Sequence, residues 1–393
     1  MTSLIEYILT AAAANVPLLL CSDPGMGKTA LAAAAAKSGG YDFISFSGAV
    51  LDPVYLGGVP MRRTHGNDDG SLDFLLAGDF ARLTDPSLPP TLLLIDEMNR
   101  ASAPVMNLLL RLIQERKVGQ YDLAPSVRIV ATMNPADSGA RPISAALANR
   151  VIHKKLTSSD LLDGWIKWMR VQSPSHMLIS TFLERLPDRA YNFPKNGAAQ
   201  EGPWPSFRSW DNVGRLIQSA LDSHVSDENK RTGANRLPTV ADIRPLLTSP
   251  KGDIIGDMAA GLVGNGPMTE MMTFLRNADI PRPHATLTGM APFSSDLAIL
   301  TAQMYSVTAM LRSDKGFAIP QFWEHLEAFL TRLIPSPTNP AAPEMGGAMS
   351  AMFCQELFSA RTDAAGAKTA NYPAGYKIPA IVARALAGQM YNR

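Results

Sequence analysis

Ser22-Asp23-Pro24-Gly25-Met26-Gly27-Lys28-Thr29 stands between two contrasting neighbours. Before it, Val16-Pro17-Leu18-Leu19-Leu20-Cys21 is a short apolar run suited to a buried strand. After it, residues 30–37 are nearly all alanine, the best helix former. Strand, tight glycine-containing loop and helix, in that order, are the context of a phosphate-binding loop. The reason is electrostatic: loop N–H groups and the helix N-terminus converge on one point where phosphate oxygens can accept. Gly25 and Gly27 permit backbone angles and a close approach that a Cβ would obstruct. Lys28 would reach the β/γ-phosphates, and Thr29 would put its hydroxyl on Mg²⁺. Asp23, Pro24, Met26 and Ala30 complete the expected cradle. Ser22 departs from the pattern G-x-x-x-x-G-K-[ST], standing where the first glycine is usual, and a small polar residue is tolerable there. The plainer alternative, a glycine-rich turn with a chance Lys-Thr, weakens once the downstream residues are read.

Thr91-Leu92-Leu93-Leu94-Ile95-Asp96-Glu97 is the second strong signal. An apolar run ending in two acids reads as a strand buried on both faces, with the acids emerging at the sheet edge where open α/β sheets bind ligands. Asp96 would hold Mg²⁺, directly or through water, and Glu97 would polarise the attacking water as general base. A strand that happens to end in a solvated acidic pair is the bland alternative, and the neighbouring phosphate loop argues against it. Residues 104–115 put Val105, Leu108, Leu109, Leu112 and Ile113 on one helical face, and residues 116–121 read as a small hairpin turn. Residues 127–132 form another buried strand, ending at Met133-Asn134-Pro135. Asn134 could orient water or touch the γ-phosphate, or simply begin an Asn-Pro turn. Arg150 closes a short helix before Val151-Ile152-His153. It could reach a neighbouring subunit's nucleotide and neutralise charge on the transferred group. Taken alone, a surface or helix-capping arginine is the better explanation.

The remaining composition sets bounds. A chain of 393 residues has room for two or three domains and a sizeable core. A net charge of +1 argues against nucleic-acid binding through bulk charge. The two cysteines, Cys21 and Cys354, and the six scattered histidines have no metal or redox spacing. The stretch from Leu4 to Cys21 carries Glu6, Asn15 and Pro17, so it reads as a helix over residues 3–14 and then a strand, not as a signal peptide or membrane span. The expectation is a cytoplasmic protein.

Leu93-Leu94-Ile95-Asp96-Glu97-Met98-Asn99-Arg100-Ala101, continued by Leu112-Ile113-Gln114-Glu115-Arg116-Lys117-Val118, resembles the MoxR family of AAA+ ATPases. Ala131-Thr132-Met133-Asn134-Pro135 and Ala146-Leu147-Ala148-Asn149-Arg150-Val151 continue the likeness in order. It covers residues 3–155. It implies an α/β fold, an αβα AAA+ P-loop core with a parallel sheet over residues 1–157, followed by an all-helical lid over 158–290 and a helical C-terminal extension over 291–393. It also implies a ring, commonly of six subunits, with ATP between them. Lys28, Thr29, Asp96, Glu97 and Asn134 would then act within one subunit, and Arg150 would be the finger offered to the next, with Arg100 a second candidate. Pro205-Ser206-Phe207-Arg208 looks like the family's lid element, which makes Arg208 the expected lid arginine over the nucleotide. An arginine simply starting a helix is the alternative.

Beyond the core, residues 161–171, 176–186 and 208–221 read as lid helices, and 297–311 and 322–333 as later ones. Residues 335–347 read as a Pro/Ala/Gly linker, with terminal helices over 351–360 and 378–390. Residues 253–283 are more weakly similar to MoxR-like proteins that work with von Willebrand factor A partners. The expected function is Mg-ATP hydrolysis driving remodelling, maturation or activation of a protein partner. A nucleic-acid-stimulated motor and a nucleotide-gated scaffold with little turnover are the alternatives.

Overall fold

The computed structural model describes residues 2–62, 72–135, 142–194, 202–277, 280–312 and 322–334, with a few isolated positions beyond. The chain divides into two compact units. The first holds residues 1–165 and 193–200 and the second holds the rest, the boundary falling inside one helix.

In the first unit the elements run α1 (Thr2–Ala13), β1 (Leu18–Cys21), α2 (Lys28–Gly39), β2 (Asp42–Ser47), α3 (Pro53–Gly57), β3 (Val59–Arg62), β4 (Leu72–Leu75), α4 (Gly78–Arg82), β5 (Thr91–Asp96), α5 (Ala103–Glu115), β6 (Lys117–Val118), β7 (Tyr121–Asp122), β8 (Val127–Met133), α6 (Ala145–Ala148) and β9 (Ile152–Lys155). Five strands form one parallel sheet in the order β2-β5-β8-β1-β9. The order explains the sequence pattern. β5, β8 and β1 lie inside, so their side chains are buried almost without interruption, whereas the edge strands β2 and β9 carry exposed positions. Leu19, Leu93, Ile95, Val105, Leu109, Leu112 and Ile129 belong to one buried cluster that joins the sheet to α5. The expected hairpin at residues 116–121 is the antiparallel β6–β7 pair. β3 and β4 pair antiparallel, and residues 63–71 between them lie outside the described residues.

Register places the strand ends together. Cys21 pairs with Met133 and Ser47 with Asp96, so the segments leaving β1, β5 and β8 emerge at one sheet edge. From there α2 runs back to Gly40, whose left-handed φ of 70° lets its N–H cap the helix on Ala36 and Lys37 carbonyls.

α7 (Ser158–Arg170) crosses the boundary. The second unit continues with α8 (Pro174–Arg185), α9 (Phe207–Thr232), α10 (Ile243–Leu247), α11 (Pro250–Val263), α12 (Asn265–Asn277), α13 (Pro283–Thr288), α14 (Leu297–Arg312) and α15 (Phe322–Leu333). α8 opens on Ser173, whose hydroxyl accepts from the His176 N–H, and α9 opens on a capping box between Ser206 and Ser209. Phe182 of α8 packs on Trp210 of α9 and Phe274 of α12, each with ring centroids 5.8 Å apart, and the Trp210 indole donates to the Arg189 carbonyl at 2.8 Å. A second cluster gathers Leu300, Met304 and Val307 of α14 with Leu326, Phe329 and Leu330 of α15. The expected linker and the two terminal helices lie outside the described residues apart from isolated positions.

Candidate active site

The loop over residues 22–27 turns on two left-handed glycines, Gly25 at φ 77° and Gly27 at φ 80°. A Cβ at Gly27 would meet no protein atom within 4 Å, so it is backbone conformation, not crowding, that requires glycine there. No side chain caps the first turn of α2, whose leading N–H groups are the polar groups that an anion satisfies. Lys28 is 7 % exposed and buried at the start of α2. Its Nζ donates to the Ser22 carbonyl at 2.8 Å, to Ser22 Oγ at 3.1 Å, to the Asp23 carbonyl at 3.2 Å and to Asn134 Oδ1 at 2.8 Å. Burial pulls its pKa down from 10.5 to about 8, against the opposing pull of Asp96, Cys21, Asp23 and Glu97. Ser22 is thus more than a tolerated substitute for glycine, since its carbonyl and its hydroxyl both hold the lysine.

Thr29, one residue on, donates to Asp96 Oδ2 at 2.5 Å. A hydroxyl and a carboxylate so paired are the donor set that shares a magnesium ion beside a phosphate. Among the described residues no group of three or more His, Cys, Asp or Glu could hold a metal, so such an ion would rest on Thr29, Asp96 and oxygens of its ligand. The residues fit Mg-nucleotide: uncapped N–H groups, a buried lysine and a hydroxyl–carboxylate pair lie along one loop and one strand end.

Glu97 follows in the left-handed region, at φ 50° and ψ 41°. Its N–H donates to Thr132 Oγ1 at 3.0 Å and to Asp96 Oδ1 at 3.1 Å. Its carboxylate lies 3.7 Å from the Arg100 guanidinium. Arg100 therefore pairs with a carboxylate of its own chain, which gives it a local partner besides the intersubunit role considered from sequence.

Asn134 sits just past the end of β8 and is 2 % exposed. Besides accepting from Lys28, its backbone is held by Asn99. The Asn99 side chain donates to the Asn134 carbonyl at 2.7 Å and accepts from its N–H at 3.3 Å. Asn99 and Thr132 were not singled out from sequence. Both are buried, at 1 % and 0 % exposure, and their partners lie on another strand end, so nothing local in the sequence marks them.

Of the remaining expected residues, Asp23, Pro24, Met26 and Ala30 lie on the loop and the first turn of α2, with the Met26 side chain buried. Arg150 lies two residues past the end of α6, exposed, and donates back to the Ala146 carbonyl of that helix. Arg208 belongs to the second unit, where it is exposed on the first turn of α9.

Residues 18–154 match the family model described as "ATPase family associated with various cellular activities (AAA)", a match over less than half of the chain. No curated protein matches the sequence significantly. Among solved structures, the chain is similar to the Thermotoga maritima RuvB Holliday junction branch migration motor, at 16 % identity over 80 % of this chain and 90 % of that one, with a TM-score of 0.37. It is also similar to a candidate ATPase from Cytophaga hutchinsonii, at 18 % identity over 66 % of this chain and 89 % of that one, with a TM-score of 0.29. Likeness at this level says nothing of what this chain acts on. The first unit carries an AAA-family ATPase domain with the five-stranded parallel sheet of the AAA+ fold, and nucleotide binding is what the family match and the phosphate loop share.

Proposed function

We propose that this chain is a ring-forming, MoxR-like AAA+ ATPase in which Mg-ATP hydrolysis drives remodelling, maturation or activation of a protein partner. The observation that carries the ATPase reading is the cluster joining Lys28, Asn134, Thr29, Asp96 and Glu97 at one sheet edge. In this reading Lys28 and the loop N–H groups bind the phosphates. Thr29 and Asp96 hold magnesium, which supplies charge neutralisation for phosphoryl transfer. Glu97 takes the proton of the attacking water, and Asn134 orients that water or the γ-phosphate.

The MoxR assignment is supported by the ordered motifs around Asp96, Asn134 and Arg150, and the ring is what that resemblance implies. Arg150, exposed beside the edge strand β9, is the arginine offered to the adjoining subunit's nucleotide. Arg208 is the lid arginine over the nucleotide of its own chain. A protein with a von Willebrand factor A domain is the partner class the resemblance suggests. Among the described residues no helix is long and apolar enough to cross a membrane. A cytoplasmic site of action goes with this reading.

ATP turnover followed against protein concentration tests the assembly. Turnover per subunit should rise with concentration, and Arg150→Ala should abolish that rise while leaving nucleotide binding in place. Monomers that hydrolyse at the assembled rate would reject the ring-dependent site. Stimulation by DNA or RNA, and not by a co-purified protein, would favour the nucleic-acid motor. Absence of turnover in every assembly state would favour the scaffold.

A further inference from the structure

Asp96 and Glu97 hold different parts of the proposed reaction, and one buried hydroxyl touches both. Thr132, on β8, is 0 % exposed. Its Oγ1 donates to Asp96 Oδ1 and accepts from the Glu97 N–H at 3.0 Å. The direction of each bond is fixed by chemistry. A backbone N–H can only donate, so the hydroxyl accepts from Glu97 and spends its single proton on the carboxylate. Asp96 is thereby gripped at both oxygens, Oδ2 by Thr29 and Oδ1 by Thr132. A carboxylate so held cannot rotate without breaking one of the two bonds.

Glu97 needs holding for a different reason. Its φ of 50° is a conformation that L residues with a Cβ adopt at a cost, and it decides where the side chain leaves the backbone. The N–H at that turn is shared between Thr132 Oγ1 and Asp96 Oδ1. On its other side, a Cβ on Gly48 would stand 3.0 Å from both the Glu97 carbonyl oxygen and the Met98 Cα, so the turn is packed closely as well as hydrogen-bonded.

We propose that Thr132 is a positioning residue for ATP hydrolysis: its hydroxyl fixes the Asp96 carboxylate toward the metal and the Glu97 turn toward the attacking water. It touches neither nucleotide nor metal and acts through those two residues. The proposal rests on the ATPase reading above and adds to it a residue whose loss should separate catalysis from nucleotide binding.

The test compares Thr132→Val, which keeps the branched shape and removes the hydroxyl, with Thr132→Ser, which keeps the hydroxyl. Steady-state ATP hydrolysis and the affinity for a fluorescent ATP analogue, with and without Mg²⁺, are read on both and on wild type. Thr132→Val should lower kcat by about 10- to 100-fold, as loss of a residue orienting a metal ligand does, with KM within about threefold of wild type. Its affinity without Mg²⁺ should match wild type, while the gain in affinity on adding Mg²⁺ should shrink. Thr132→Ser should regain most of both losses.

Wild-type kcat and an undiminished Mg²⁺ gain in Thr132→Val would overturn the proposal. So would equal impairment of Val and Ser, or loss of folding in both Thr132→Val and Thr132→Ala, each of which marks a purely structural role. A wild type that binds Mg-nucleotide without turnover would reject the ATPase reading instead. The Mg²⁺ gain would still decide the role of Thr132.

Discussion

At Lys28, burial and the charges of nearby acidic groups pull in opposite directions. The ammonium donates to four acceptors, yet its seclusion brings its pKa to about 8. In the free protein the lysine therefore loses its proton as pH rises through 8, whereas a bound phosphate would restore it. Nucleotide binding above pH 8 must then take up a proton. Affinity should be flat between pH 7 and 8 and fall above that, by up to about tenfold per pH unit. Titration of a fluorescent ATP analogue at pH 7, 8 and 9 reads this. Lys28→Ala should bind more weakly throughout and show no such fall, and equal slopes in the two proteins would remove Lys28 as the cause.

Legibility at this scale divides by reach. The Gly25–Thr29 run and the acids Asp96 and Glu97 could be read because their meaning lies in local order. Thr132 and Asn99 could not, because what they hold belongs to a strand end 35 or 36 residues away in sequence. Ser22 looked like an irregularity because the pattern describes the loop's backbone and is silent on what receives the lysine.

Between elements, the ends of β5 and β8 are coupled by the Asn99–Asn134 amide pair. Asn99→Ala would leave the Asn134 N–H and carbonyl without that side chain and loosen the amide that accepts from Lys28. Turnover should drop by about tenfold with smaller loss of nucleotide affinity; unchanged kcat would show that Asn134 is held adequately by the strand. In the second unit, α8 and α9 meet where Gly214 faces His176. A Cβ there would come within 2.5 Å of the imidazole, which also holds Ser173 at 2.7 Å and Asp211 at 3.1 Å. Gly214→Ala should cost about 1–3 kcal/mol of stability through overpacking, read as a lowered urea midpoint. A neutral result would mean that the helices separate easily.

Helices such as α5 were legible from an apolar face, and the central strands from their unbroken apolar runs, whereas α11 and α12 were not assigned from sequence. α9 runs eleven residues past the expected end at Leu221, to Thr232. Its last three turns are largely polar and offer only Val225 as a buried apolar marker, so no stripe announces them. The helices α3, α4, α10 and α13, of five or six residues each, are too short for periodicity to distinguish from turns.

For the molecule as a whole, the sequence carries the chemistry of a nucleotide site more clearly than the use made of it. The parallel sheet and its phosphate loop follow from residue patterns, whereas a partner-binding surface has no period or spacing to announce it. The ring reading rests on the family resemblance and on Arg150, which is exposed and donates to the Ala146 carbonyl. Mixing Arg150→Ala with Glu97→Gln subunits should restore part of the turnover, because an intact Glu97 then meets an intact Arg150 at the mixed interface, and no gain on mixing would contradict the role across the interface.

The central claim is that one sheet edge binds ATP through Lys28 and hydrolyses it through Glu97. Phosphate release and nucleotide retention, measured together on wild type, Lys28→Ala and Glu97→Gln, test it most directly. Wild type should turn over, and Lys28→Ala should retain little nucleotide. Glu97→Gln should hold ATP while releasing phosphate at least about 100-fold more slowly. A Glu97→Gln protein that releases phosphate at the wild-type rate would contradict the account.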